Sequence, residues 1–194
     1  MNSIWQLWEK GVDQEVLKKI EEITNELQVK DSQVGHYKPK EGETNPKIRR
    51  SKTAFLNNSN KSHSQIFSMF TNFFYEANAN AFGVHIDRLT DIQYTEYHAE
   101  EDGFYDFHQD CFIESERLID RKLSLTMQLS DPEDYEGGDF VFHNSFVPSP
   151  PDTRVLKKQG AILVFPSFVL HKVEPVTKGI RKSLVAWIDG PCWK

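Results

Sequence analysis

From Phe82 onward the sequence breaks into short runs of alternating apolar and polar residues, separated by clusters of Asp, Gly, Pro and Asn. Period-two alternation marks strands with one buried face, and turn residues this frequent exclude long helices. Eight strand candidates fall near residues 82–87, 91–98, 104–112, 121–130, 139–142, 161–165, 168–173 and 181–189. Ahead of them, Val16, Ile20, Ile23 and Leu27 recur at helical spacing behind Asp13, whose carboxylate suits an N-cap. Ile66, Phe70, Phe73 and Phe74 repeat that spacing over residues 64–79, and the Lys-, Arg- and Pro-rich stretch 35–53 between the two helices reads as a loop.

Two helices followed by many short strands predict a mainly β fold with flanking helices, a double-sheet jelly roll carrying its helices on one outer face. At 194 residues the chain has the size of one domain, with a helical N-terminal support over 1–80 and a jelly-roll core over 82–190. The net charge of −6 disfavours nucleic acid as a partner, because gripping phosphate backbones takes a basic face. No run approaches the roughly 18 apolar residues of a bilayer span. Two cysteines, Cys111 and Cys192, make no disulfide framework, and no signal-peptide pattern opens the sequence. Together these predict a cytoplasmic protein without a membrane partner.

His108 and Asp110 stand two apart in a predicted strand, so an imidazole and a carboxylate can converge on one ion. The spacing alone is weak, since His85 and Asp87 repeat it. A facial site of two histidines and one carboxylate needs a second, distant histidine and leaves open positions on iron. His171 fits, within the apolar run 165–173, where an inward imidazole requires a polar partner or a metal. Ten positions later Arg181, Ser183 and Val185 share a strand face; the guanidinium can grip a carboxylate through two parallel hydrogen bonds and the hydroxyl can join it. A rival pair, His143 with Arg154, is separated by Pro148, Pro150 and Pro151. His85 and Asp87 are expected to face outward from a first strand. Cys111 reads as a small buried hydrophobe, and residues 137–138 as a turn between strands.

In order, the sequence carries Tyr97, Gly103, Tyr105, His108 and Asp110, then Arg121-Lys122-Leu123-Ser124-Leu125-Thr126-Met127-Gln128-Leu129. Glu136-Gly137-Gly138-Asp139-Phe140, Gly160, Phe165-Pro166, His171-Lys172-Val173, Pro175-Val176, Arg181 and Trp187 follow. This half of the chain resembles the prolyl 4-hydroxylase-like iron(II)/2-oxoglutarate-dependent dioxygenases. The resemblance implies a double-stranded β-helix and the cofactors Fe(II), 2-oxoglutarate and O2, with ascorbate as an optional accessory. It implies metal ligation by His108, Asp110 and His171 and co-substrate binding by Arg181, with Tyr97, Gln128 and Ser183 beside it. One departure is Gln128, where such proteins often carry a tyrosine.

The activity so implied is hydroxylation of proline in a peptide or protein, of the procollagen-proline 4-dioxygenase kind. The alternatives are the same chemistry on a free amino acid or a nucleobase, as in a demethylase, or a non-catalytic jelly-roll binding module. In residues 38–52, Lys38, Lys40, Lys47, Arg49, Arg50 and Lys52 outnumber Glu41 and Glu43, which reads either as a solvated loop or as a flap favouring an acidic or polymeric substrate.

Overall fold

The computed structural model describes residues 4–32, 45–111 and 118–193. Its strands are β1 (Gln6–Trp8), β2 (Lys30–Asp31), β3 (Arg49–Arg50), β4 (Lys52–Phe55), β5 (Arg88–His98), β6 (Phe104–His108), β7 (Ile119–Gln128), β8 (Tyr135–Gly137), β9 (Phe140–Phe142), β10 (Ile162–Pro166), β11 (His171–Val173) and β12 (Val176–Pro191). The helices are α1 (Gln14–Asn25), α2 (Lys61–Ala77) and the single turn α3 (Thr153–Leu156). Antiparallel pairing builds one sheet in the order β1-β10-β7-β12-β5-β4-β2, with β8 added to β12, and a second in the order β3-β6-β11-β9. The fold is the mainly β jelly roll that periodicity predicts, with helices on one face.

Alternation along the central strands decides which residues each face of the large sheet receives. Leu123, Leu125 and Met127 of β7 and Leu184, Ala186 and Ile188 of β12 join Leu17 and Ile20 of α1 and Phe70 and Phe74 of α2 in one core. Phe70 and Phe74 are fully buried, which stabilises the packing by about 1.5–3 kcal/mol each. The opposite face meets the small sheet across Tyr97, Phe140, Phe142, Phe165, Val173 and Val176. Helix α1 begins where its cap predicts, with the Asp13 carboxylate accepting from Val16 N at 2.9 Å.

Four expectations are corrected. Residues 82–87 are not a strand, because the Asn78 side chain donates to Val84 O and accepts from Val84 N, both at 2.9 Å, and so ties the segment to the end of the helical region. A π-helical turn (Asn78–Phe82) precedes Gly83, which closes it at φ +62°. The predicted strand 104–112 stops at His108, since Asp110 N and Cys111 N both turn aside to donate to Ser167 O, at 2.8 and 3.2 Å. Residues 167–170 form a turn between β10 and β11, not the start of a strand. The stretch 35–53 is not all loop, because β3 pairs with β6 and β4 with β5; residues 33–44, including Lys38, Lys40, Glu41, Glu43 and His36, lie outside the described residues. No helix among the described residues is long and apolar enough to cross a membrane.

Candidate active site

Strand β11 lies between β6 and β9, and its register sets His171 directly opposite His108. Two residues of β11 span three of β6, and this bulge carries Tyr105 and His108 to the same face despite their odd spacing. Asp110 arrives from the turn beyond β6. The ligand atoms of His108, Asp110 and His171 all lie within 4.8 Å of one another. His108 Nε2 is 3.7 Å from Asp110 Oδ1, and His171 Nε2 is 3.6 Å from Oδ2.

Each imidazole is oriented from behind. His108 Nδ1 bonds to Asp106 O and His171 Nδ1 to Val169 O, both at 2.8 Å. A carbonyl only accepts, so Nδ1 carries the proton and the Nε2 lone pairs face the carboxylate, which is the arrangement a metal requires. Burial and the neighbouring His171 push His108 down to about 3, which keeps it neutral and available as a ligand. Burial alone would raise Asp110. The imidazoles of His171 and His108, the Arg121 guanidinium and a hydrogen bond from Ser124 more than offset it and hold the carboxyl down to about 2. Ser124 Oγ donates to Asp110 Oδ2 at 2.7 Å and shares a second bond with Ser167 Oγ at 2.9 Å. Two imidazoles, one carboxylate and fixed tautomers fit a divalent transition metal.

Farther along the inner face, Arg181 pairs in register with Tyr97, and Ser183 lies between Thr95 and Gln128. The Arg181 guanidinium is 5.6 Å from the centre of the Tyr97 ring, and Arg181, Ser183, Gln128 and Tyr97 are all buried. Gln128 is therefore on the inner face of β7 with Ser124 and Thr126. Its Nε2 donates to Tyr135 Oη at 3.1 Å and to Ser130 O at 3.3 Å, while its Oε1 has no partner among the described residues. Tyr135 is a residue the sequence analysis missed. Its phenol is raised by burial and hydrogen-bonded by Arg181, so it keeps a proton to donate. Gly138 lies against Arg181 at φ +62°, where a Cβ would stand 2.9 Å from Arg181 Cδ.

The other sequence candidates lie elsewhere. His85 and Asp87 form an exposed pair at 3.0 Å; of the histidines that were not candidates, His98 bonds Glu96 at 2.7 Å, and His63 Nδ1 accepts from Asn57 N at 2.9 Å. Arg154 pairs with Asp152 at 2.6 Å, not with His143. Cys111 is buried and its thiol is pushed up to about 11 by burial, as suits a packed hydrophobe. Ser124 appears in the sequence only within the 121–129 run that carries the resemblance. Ser167 and Tyr135 carry no sequence signal, because each sits in a turn-rich segment and reaches the site only through strand pairing.

A model of the 2OG-Fe(II) oxygenase superfamily matches residues 92–189, a span that includes the three candidate ligands and Arg181. Among curated proteins, a PKHD-type hydroxylase of Synechococcus sp. (strain JA-2-3B'a(2-13)) is 35% identical over 87 residues, 44% of this chain and 37% of that one. The matched segment thus spans well under half of the relative's length. Among solved structures, a Pseudomonas putida prolyl-4-hydroxylase superposes with a TM-score of 0.69 at 16% identity, covering 96% of this chain and 92% of that one. A prolyl hydroxylase from Trichoplax adhaerens, in complex with a hypoxia inducible factor oxygen degradation domain peptide fragment, gives 0.71 at 13%, covering 96% and 83%. At these identities the two structures establish a shared fold.

Proposed function

The chain belongs to the 2OG-Fe(II) oxygenase superfamily, and from that premise we propose that it is an iron(II)- and 2-oxoglutarate-dependent hydroxylase acting on proline in a peptide or protein. The observation that carries this reading is the joint presence of the His108, Asp110 and His171 cluster, whose histidines sit on the small sheet, and the buried Arg181 on the large sheet. A binding module has no use for both. Bound together, iron(II) and 2-oxoglutarate supply oxidising power, as O2 gives one oxygen atom to succinate and the other to the substrate carbon while CO2 is released.

The protein's own residues bind and orient. His108, Asp110 and His171 would hold the metal through two imidazole nitrogens and one carboxylate. Arg181 takes the far carboxylate of 2-oxoglutarate in a two-pronged hydrogen bond, and Tyr135 donates its phenol proton to the same group. Gln128 holds Tyr135 in place, which explains how the clamp works with an amide on β7. Tyr97 and Ser183 complete the wall, and the buried rings of Phe140 and Phe165, 5.3 and 4.8 Å from the His171 ring, keep water from that side of the cluster.

A peptide or protein as prime substrate is supported by the hydroxylase names of the relatives and by the peptide bound to the Trichoplax adhaerens protein. Mass spectrometry tests it directly. With iron(II) and 2-oxoglutarate, proline-containing peptides gain one oxygen at proline, while free proline and methylated single-stranded DNA, run beside them, are unchanged. Demethylation of the DNA with no oxygen on any peptide would reassign the chain to nucleic-acid chemistry.

A further inference from the structure

We infer that Arg49 forms an anion subsite beside the candidate metal centre and selects a prime substrate that carries a carboxylate close to the reacting proline; the inference rests on the hydroxylase reading above. Arg49 and Tyr105 are register partners in β3 and β6, so their side chains share the inner face. Tyr105 stacks on His108, with ring centres 3.5 Å apart and planes at 12°. One face of Tyr105 is thereby occupied, and the Arg49 guanidinium lies over the ring, 4.6 Å from its centre. Imidazole, phenol and guanidinium form one stack running from the metal ligand outward.

The guanidinium is braced and only partly used. Arg49 Nε donates to Ser51 Oγ at 2.7 Å, and Ser51 Oγ is itself bonded to Ser32 Oγ at 2.7 Å. Arg49 is only 8% exposed, yet no carboxylate pairs with it among the described residues. The adjacent cations differ: Arg50 pairs with Asp102 at 3.2 Å and Lys52 with Glu101 at 2.6 Å. A buried charge without a counterion is destabilising unless a ligand supplies one. With Nε engaged, neither Nη group bonds to a described residue, and a planar fork of this kind matches a carboxylate. Arg181 serves the co-substrate from the large sheet, so Arg49, on the edge strand of the small sheet, is left for the prime substrate.

The carboxylate has two sources, an acidic side chain in a peptide or the α-carboxylate of a free amino acid, and the experiment separates them. Fluorescence anisotropy on Mn(II)- and 2-oxoglutarate-loaded protein measures a labelled proline peptide with a neighbouring Glu, its Gln twin, and competition by free proline. The Glu peptide should bind wild type more tightly than the Gln twin, and Arg49→Gln should weaken it by about thirtyfold or more. Arg49→Lys, which keeps the charge, should retain part of the preference and shows that loss in Arg49→Gln is not a folding defect. Competition by free proline, lost in Arg49→Gln, would identify the α-carboxylate as the source. Equal binding of the Glu and Gln peptides to wild type, with no competition by free proline, would overturn the subsite. So would an Arg49→Gln effect confined to 2-oxoglutarate affinity. Because binding is read without turnover, failure to hydroxylate proline would count against the functional reading alone.

Discussion

Ser124 Oγ lies 2.7 Å from Asp110 Oδ2, a buried hydrogen bond that fixes the carboxylate rotamer from the strand behind the candidate metal centre. A partner of this kind typically changes metal affinity 10- to 100-fold. Ser124→Ala should therefore weaken Mn(II) binding by about that factor while leaving the fold intact, because Ser167 Oγ remains and the lost volume is small. Titration by metal-dependent fluorescence quenching measures it.

His108→Ala, Asp110→Ala and His171→Ala should each reduce Mn(II) affinity far more than Ser124→Ala, since two protein ligands make a weak site. His85→Ala should have no effect, as His85 and Asp87 pair with each other at the surface. The same titration distinguishes the two groups of variants.

Arg181→Ala should raise KM for 2-oxoglutarate by the equivalent of about 2–5 kcal/mol, the usual consequence of removing a buried charged partner. Tyr135→Phe should raise it less, by about 1.5–3 kcal/mol, the range for a hydrogen bond to a charged group. Neither should change Mn(II) affinity. Initial rates against 2-oxoglutarate concentration give both values, and an unaltered KM in Tyr135→Phe would remove the phenol from the clamp.

Gly138→Ala should damage both stability and co-substrate binding. The left-handed backbone there costs an L-residue about 1–2 kcal/mol, and the new methyl would press on Arg181 Cδ. Gly160→Ala is the control. It has φ +80°, but its Cβ would stand no closer than 3.4 Å to a neighbour, so only stability should fall. Thermal unfolding and 2-oxoglutarate KM, measured together, separate the two effects.

What the sequence made legible follows from which signals are local. Alternation placed Arg181, Ser183 and Val185 on one face of a strand, because a strand's period is a local property. It failed at residues 82–87, where one Asn78 side chain replaces strand pairing, and at Asp110, where Ser167 O draws the backbone out of the sheet. His108 and Asp110 still converge, but through a turn and not through strand alternation. Tyr135 was not legible as a site residue, and Arg49 only as one cation of a stretch that read either as a solvated loop or as a flap, since β8 reaches Arg181 only by pairing with β12, and β3 reaches Tyr105 only by pairing with β6. The basic character of residues 38–52 was visible; that one of its arginines stacks on the metal-side tyrosine depends on long-range register.

The most direct test of the account is 2-oxoglutarate turnover by the purified protein with iron(II) in air and no prime substrate. Slow formation of succinate with matching CO2 release, abolished in His171→Ala and requiring much higher 2-oxoglutarate in Arg181→Ala, is the predicted result. Wild-type protein that binds iron(II) and 2-oxoglutarate yet forms no succinate, with or without proline-containing peptides, would contradict it.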